Sequence, residues 1–162
     1  MTASRIPEKF SMVLTASDVV CAEFEAYEPY RPFDDARWIR DIPIINDDDV
    51  AHVALMLDTE ASLLAIYIIV QMPDAEDKVS ALARAVALVN YGLLPGCFEL
   101  DVESGDIRYR CALPLTTNSI GARDIGQLLA HGLLVTREYA NAFQKIVVTD
   151  MKPEDAIAEV ED

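Results

Sequence analysis

Three successive carboxylates, Asp47-Asp48-Asp49, form the one dense acidic run in the chain, and His52 follows closely. Oxygen donors of this kind suit hard cations such as Mg²⁺ or Ca²⁺. Neighbouring side chains on an extended segment point to alternate sides, however. Neither calcium-loop spacing nor a closing glutamate completes a cage. The run therefore reads as a solvated loop ahead of a strand. A small metal-dependent enzyme or regulator built on residues 47–49 and His52 stands as the alternative.

The remaining reactive side chains are sparse. His52 and His131 are the two histidines, and the patterns around them put both on polar or outward positions. A Ser-His-Asp site needs a buried, oriented imidazole, and neither has one. No CxxC, HxxxH, HExxH, GxSxG, phosphate-loop or dinucleotide fingerprint is present. Leu94-Pro95-Gly96 lacks the lysine and glycine run of a phosphate cradle. The tyrosines fall at helix or strand spacing and read as core. Cys21, Cys97 and Cys111 are odd in number and cannot form a complete disulfide set, which points to a reducing cytoplasm. The expectation is no catalytic, cofactor-binding or metal-binding residue, and no cofactor.

Composition narrows the class further. The 162 residues suit one ordinary domain. Acidic residues number 28 against 13 basic ones, a formal charge of −15, and the pI is near 4.3. Nucleic-acid binders need a basic footprint, so direct phosphate-backbone binding is excluded, as is an anionic membrane surface. An acidic mimic of nucleic acid is a further alternative, but the acids are spread along the chain instead of forming rows. At 52% hydrophobic residues and a mean hydropathy of +0.17, the chain is no disordered acidic tail. The first ten residues hold no apolar run of signal-peptide length. The longest unbroken apolar stretch, Leu63–Val70, falls far short of a membrane span.

Residues 1–48 carry half of the aromatics, Phe10, Phe24, Tyr27, Tyr30, Phe33 and Trp38, and are broken by Pro7, Pro29, Pro32 and Pro43. Residues 17–28 fit either a short helix capped by Ser17 or a strand with Val20, Ala22, Phe24 and Ala26 facing inward. So many large aromatics imply an arm that packs on something. Beyond it the periodicity is plain. Val53, Leu55 and Leu57 alternate in one strand and Leu64, Ile66, Ile68 and Val70 in the next. A two-residue loop at Glu60-Ala61 pairs Leu57 with Leu64, Leu55 with Ile66 and Val53 with Ile68, all on one face.

The reverse face of this hairpin carries Ala54, Met56, Ala65, Tyr67 and Ile69, where a solvated face should be mainly polar. Each large side chain left wet forgoes about 1.5–3 kcal/mol. Either the N-terminal arm covers this face, or it is a subunit or client interface.

Residues 75–91 read as a helix with Asp74 as N-cap, acidic Glu76 and Asp77 in the first turn, and Val79, Leu82, Val86 and Val89 on one face. Gly92 and Pro95-Gly96 stop it. A second hairpin follows. A Ser104-Gly105 turn pairs Asp101 with Arg108 and Glu99 with Arg110 on one face. Phe98, Leu100 and Val102 then meet Cys111, Tyr109 and Ile107 on the other. This separates Cys97 from Cys111 and argues against a disulfide between them. A long helix starts after Asn118 or Ser119 and runs to Val148, its stripe formed by Ile125, Leu128, Leu129, Val135, Tyr139, Phe143, Ile146 and Val147. The acidic tail is expected to fray, with Pro153 able to open a short helix there.

The stretch Asn90-Tyr91-Gly92-Leu93-Leu94-Pro95-Gly96-Cys97-Phe98-Glu99-Leu100-Asp101 places an Asn at a helix end, then a short loop, then Gly-x-Phe-Glu-Leu-Asp. It resembles the bacterial YbjN family. Gly105-Asp106-Ile107-Arg108-Tyr109-Arg110-Cys111-Ala112-Leu113-Pro114, followed by a long amphipathic helix, is similar to that family too. The resemblance spans roughly residues 50–148, and its motif is packing and turn chemistry with no reactive group. Members of that family are described as sensory-transduction regulators and share the fold of class I type III secretion chaperones. They usually open with a helix and a strand, whereas residues 1–48 here are longer, proline-broken and aromatic-rich. The resemblance implies a small, acidic, cytoplasmic homodimer that holds a partner segment on apolar patches without ATP. It supplies no catalytic residue.

The expected fold is therefore α+β, an antiparallel β-sheet built from hairpins and flanked by two main helices, type III secretion chaperone-like. Residues 1–48 form the aromatic arm, 49–148 the YbjN-like domain and 149–162 the acidic tail. The expected function is non-enzymatic binding of a protein partner or client by a cytoplasmic homodimer, with no nucleic acid and no membrane insertion. Met56, Tyr67 and Ile69 are the candidate partner-binding residues.

Overall fold

The computed structural model describes residues 5–115 and 120–161. In chain order it carries α1 (Ser11–Glu23), β1 (Arg31–Pro32), β2 (Arg37–Pro43), β3 (Val50–Asp58), β4 (Leu63–Val70), α2 (Val79–Asn90), β5 (Cys97–Leu100), β6 (Ile107–Pro114), α3 (Ala122–Thr149) and α4 (Pro153–Glu161). The strands form one six-stranded sheet in the order β1-β2-β3-β4-β6-β5. Every pairing is antiparallel. The architecture is the expected α+β, an antiparallel sheet with flanking helices.

The β3–β4 hairpin has the register that its alternation dictates. Leu57 lies opposite Leu64, Leu55 opposite Ile66 and Val53 opposite Ile68, and all six are fully buried. Asp58 closes the turn, its Oδ1 accepting from the Glu60 and Ala61 backbone N–H groups at 3.0 and 2.7 Å. Such Asx geometry gives the turn a bonding scheme of its own.

The β5–β6 register differs from the expected one by two residues. Glu99 lies opposite Arg108, Phe98 opposite Tyr109 and Leu100 opposite Ile107. Asp101 is the reason. Its Oδ1 accepts from Glu103 N and Ser104 N at 2.8 and 3.3 Å, and its own N–H bonds the Asp106 carbonyl at 2.8 Å. Asp101 and Asp106 thus close a wider loop that includes Val102, which is left exposed. A shift of two preserves parity, so every side chain keeps its predicted face. Cys97 and Cys111 accordingly stay on opposite faces, and all three cysteines are free.

Residues 11–23 form a helix, so neither a strand nor a Ser17 cap is found. Ser17 lies inside α1, donating to the Val13 carbonyl at 2.8 Å. Val13, Ala16, Ser17, Val20 and Cys21 make its buried stripe, at the spacing of one helix face. In β2 the alternation is also clear: Trp38, Arg40 and Ile42 are buried. The Arg40 guanidinium reaches Asp18 of α1 at 2.5 Å and the Ala26 carbonyl at 2.9 Å, satisfying most of a charge that would otherwise be costly to bury.

Helix α3 crosses the inner sheet face, burying Ile125, Leu129, Leu133, Phe143 and Ile146 among others. Gly132 permits this approach, because a Cβ there would lie 2.6 Å from Ile68 Cδ1. Gly121 caps the helix, its N–H bonding Asp124 Oδ2 at 2.9 Å; the expected start at Asn118 or Ser119 lies outside the described residues. Asn90 ends α2 by acting as a surrogate strand for edge strand β5: its amide bonds both the N–H and the carbonyl of Phe98, at 2.8 and 2.9 Å. The tail forms a helix, α4, instead of fraying. Pro153 opens it, and Ala156 and Ile157 are buried.

Candidate partner-binding surface

The inner face of the sheet is closed by helices, with Leu55, Ile66, Ile68, Tyr109 and Ile107 fully buried. Among the described residues, no helix covers the outer face. Registers across the strands arrange it in rows. One runs Arg31, Ile39, Met56, Ala65, Ala112. The next runs Asp41, Ala54, Tyr67, Arg110, Cys97, and a third Pro43, His52, Ile69, Arg108, Glu99. Met56, Tyr67 and Ile69 thus fall in three successive rows on the two central strands of this face, Ile69 towards its end, and each is half-buried.

The described part of the N-terminal segment, from residue 5 on, does not cover it. Helix α1 packs against α3 on the other side, while β2 widens the outer face by adding Ile39 and Asp41. The signal for these two was the alternation of residues 37–43 itself, hidden among prolines.

Charge on the outer face is nearly balanced. Arg31, Arg37, Arg108 and Arg110 stand against Asp41, Asp58 and Glu99 in the strands, Asp34 paired with Arg37, and Asp101 and Asp106 at the Ile69 end, four cations to six anions, so −2 on a chain of −15. Arg31 pairs with Asp41 at 2.7 Å. Glu99 accepts from Arg108 at 2.8 Å and Arg110 at 2.5 Å, and the Arg108 guanidinium lies 4.4 Å from the Tyr67 ring centroid, a cation–π distance. At the Ile69 end, a cavity of about 710 Å³ opens between His52, Ile69, Leu100, Asp101 and Arg108. The face thus combines apolar side chains at its centre with paired polar groups around them.

Burial alone would raise the Glu99 pKa, but hydrogen bonds from Arg110 and Arg108 outweigh it and hold the carboxyl below its ordinary 4.5. A depressed folded-state pKa contributes stability above the unfolded value and loses it as pH falls through the folded one. Unfolding free energy is therefore expected to drop as the pH is lowered below about 4.5. Urea melts at descending pH check this. Glu99→Gln should be less stable than the parent near neutrality and show a shallower acid decline.

Asp47 joins the loop before β3 to helix α3. Its Oδ2 accepts from Arg137 of α3 at 3.0 and 2.7 Å, and its Oδ1 from Asp49 N and Val50 N, both at 3.0 Å. Burial raises its pKa, and these bonds, Arg137 foremost, bring it below the usual value. Gln144 reinforces the clasp by donating to the Asp48 carbonyl at 3.0 Å. The acidic run thus ties the β3 entrance to α3. Among the described residues no group of three or more His, Cys, Asp or Glu is arranged to hold a metal ion. His52 lies exposed on the outer sheet face, and His131 Nε2 lies 3.2 Å from the Leu94 carbonyl.

Cys21 is fully buried, and that burial pushes its thiol pKa up. Cys111, also buried, is raised to about 12. Neither is a ready nucleophile, since the thiolate is the reactive form. No helix among the described residues is long and apolar enough to cross a membrane.

No family model matches the chain, and no curated protein matches its sequence. Among solved structures, a chain from the HopA1–SchA chaperone–effector complex is similar, with a TM-score of 0.51 over 87% of this chain and 99% of that one, at 17% identity. A chain of the ExsC–ExsE complex gives 0.45 over 83% and 96%, at 13% identity. The first likeness is one of fold, and it agrees with the chaperone-like α+β architecture expected from the sequence.

Proposed function

We propose that this chain is a non-enzymatic, chaperone-like protein-binding module of the YbjN kind. It acts in the cytoplasm as a homodimer and holds a protein partner on its outer sheet face through Met56, Tyr67 and Ile69. The observation that carries the reading is a six-stranded sheet with helices, among the described residues, on one face only, whose other face is apolar at its centre and near neutral in charge. Elsewhere the surface of a −15 chain repels a second copy. Here two copies, or a copy and an apolar partner segment, can meet without that cost. A chaperone–effector complex among the structures of similar fold supports the same reading.

Light scattering after gel filtration tests it. The full chain should show a mass near twice 17.9 kDa. Combining Tyr67→Lys with Ile69→Lys should weaken the dimer by about 100-fold or more, because each protomer would bury two unpaired ammonium groups. A dimer that survives both lysines would overturn the surface assignment. A full chain of monomer mass would overturn the homodimer.

A further inference from the structure

Helix α4 lies across α2 and α3 and touches both. It bears Glu154, Asp155, Glu159 and Glu161 and no basic residue. On a chain of net charge −15, such a segment is repelled by most of the surface. It settles where three cations converge. Lys78 pairs with Asp150 at the approach, Arg84 of α2 with Glu154, and Lys145 of α3 with Glu159. The Tyr139 hydroxyl adds a bond to Glu161 at 3.3 Å. Between the rims the groove is apolar and takes Ala156 and Ile157.

The seat is light. Ile157 is the one large side chain of α4 that becomes buried, and the ion pairs lie at exposed positions where each is weak and screened by salt. The fit is also incomplete. A crevice of about 270 Å³ stays open between Asn141, Ala142 and Lys145 of α3 and Ala156, Glu159 and Val160 of α4. Asp150, between the two helices, ends α3 in a left-handed conformation with φ 55°.

We propose that the groove between α2 and α3 is a second binding site, a receptor for acidic amphipathic helices, with α4 as its resident occupant. A partner helix of the same charge pattern displaces α4 when it carries a larger apolar residue where α4 has Val160. This is helix-in-groove recognition with the competitor built into the chain. An outside helix must overcome the high local concentration of a tethered one.

The probe is a fluorescein-labelled peptide of residues 150–161 carrying Val160→Leu, its binding followed by anisotropy on the full-length chain. Ile157→Asp in the chain unseats the resident helix, so this variant should bind the peptide at least about tenfold tighter than the unmodified chain. Adding Arg84→Glu and Lys145→Glu to that variant should abolish binding, and raising NaCl from about 50 to about 500 mM should weaken it several-fold. The peptide with native Val160 should bind less tightly than the leucine form. Equal affinities for the unmodified and Ile157→Asp chains, both native by circular dichroism, would overturn the proposal. Hydrogen exchange on the unmodified chain gives an independent reading. Amides of α4 should exchange at least about tenfold faster than those in the middle of α3, and equal protection would overturn it as well.

Discussion

Phe98→Ala is expected to cost the fold about 3–5 kcal/mol, a large share of the roughly 5–15 kcal/mol that holds a domain together. Phe98 is 2% exposed. Its ring meets Tyr109, Tyr139 and Phe143 edge-on, with centroids 5.4, 5.9 and 5.1 Å away and interplanar angles of 67°, 72° and 72°. Tyr109 belongs to β6, Tyr139 and Phe143 to α3, so one side chain joins the end of the sheet to the helix that crosses it. Each such aromatic pair is worth about 0.5–1.5 kcal/mol beyond area burial. Alanine removes three at once and leaves a cavity that rigid neighbours on two elements cannot close.

The backbone of Phe98 adds to this. Its N–H and carbonyl bond the Asn90 amide, and a sagging β5 would put both at risk, leaving Asn90 without partners at the end of α2. Equilibrium urea unfolding of parent and variant checks the value. Phe98→Leu keeps most of the volume and should recover at least half of the loss. A cost below about 1 kcal/mol for the alanine would show that the aromatic cluster is not the joint between sheet and helix.

How far such features could be read from sequence depends on where their information lies. The β3–β4 register was legible because apolar side chains on two adjacent strands alternate in phase, and one slip would have turned all of them to solvent. The asparagine at the end of α2 and the phenylalanine of β5 were legible as a motif, but not their bond, which spans eight residues and needs a loop geometry that no periodicity encodes. In β2 the alternating burial of Trp38, Arg40 and Ile42 was present in the sequence. Flanking prolines and an inward arginine obscured it, since a buried guanidinium makes sense only once Asp18 and the Ala26 carbonyl are in place. The apolar outer face was visible as Met56, Tyr67 and Ile69, while its charge balance was not. That balance depends on Arg31, Arg37 and Asp41 arriving from the N-terminal segment and Arg108 and Arg110 from β6, which are far apart along the chain. The docking of helix α4 was hidden for a related reason. Its residues are too acidic to look like core, and its seat consists of cations on two other helices.

Gly105→Ala is expected to destabilise by about 2–4 kcal/mol, combining backbone strain with a steric clash. Gly105 has φ +81°, a region where a side chain meets the flanking carbonyls. A Cβ there would also lie 2.7 Å from the Ala75 carbonyl oxygen and 2.9 Å from its carbonyl carbon. Main chain cannot swing aside as a flexible side-chain end can. The β5–β6 loop would have to lift from the segment that leads into α2, and the Gly105 N–H would lose the Asp101 carbonyl at 2.8 Å. Since Asp101 sets the register of the hairpin, the damage should reach β5 and Phe98 instead of staying in the loop. Near-ultraviolet circular dichroism of the aromatic cluster, recorded with the urea melt, reads that spread. Ala75→Gly in the same chain removes only the Cβ contact at 2.8 Å, so it should restore a minor part of the loss. Full restoration would mean that the obstacle is the alanine methyl and not the main chain. Val102→Ser, in the same loop at an exposed position, should change stability by less than about 0.5 kcal/mol. A large effect there would return Val102 to the strand and favour the narrower two-residue turn.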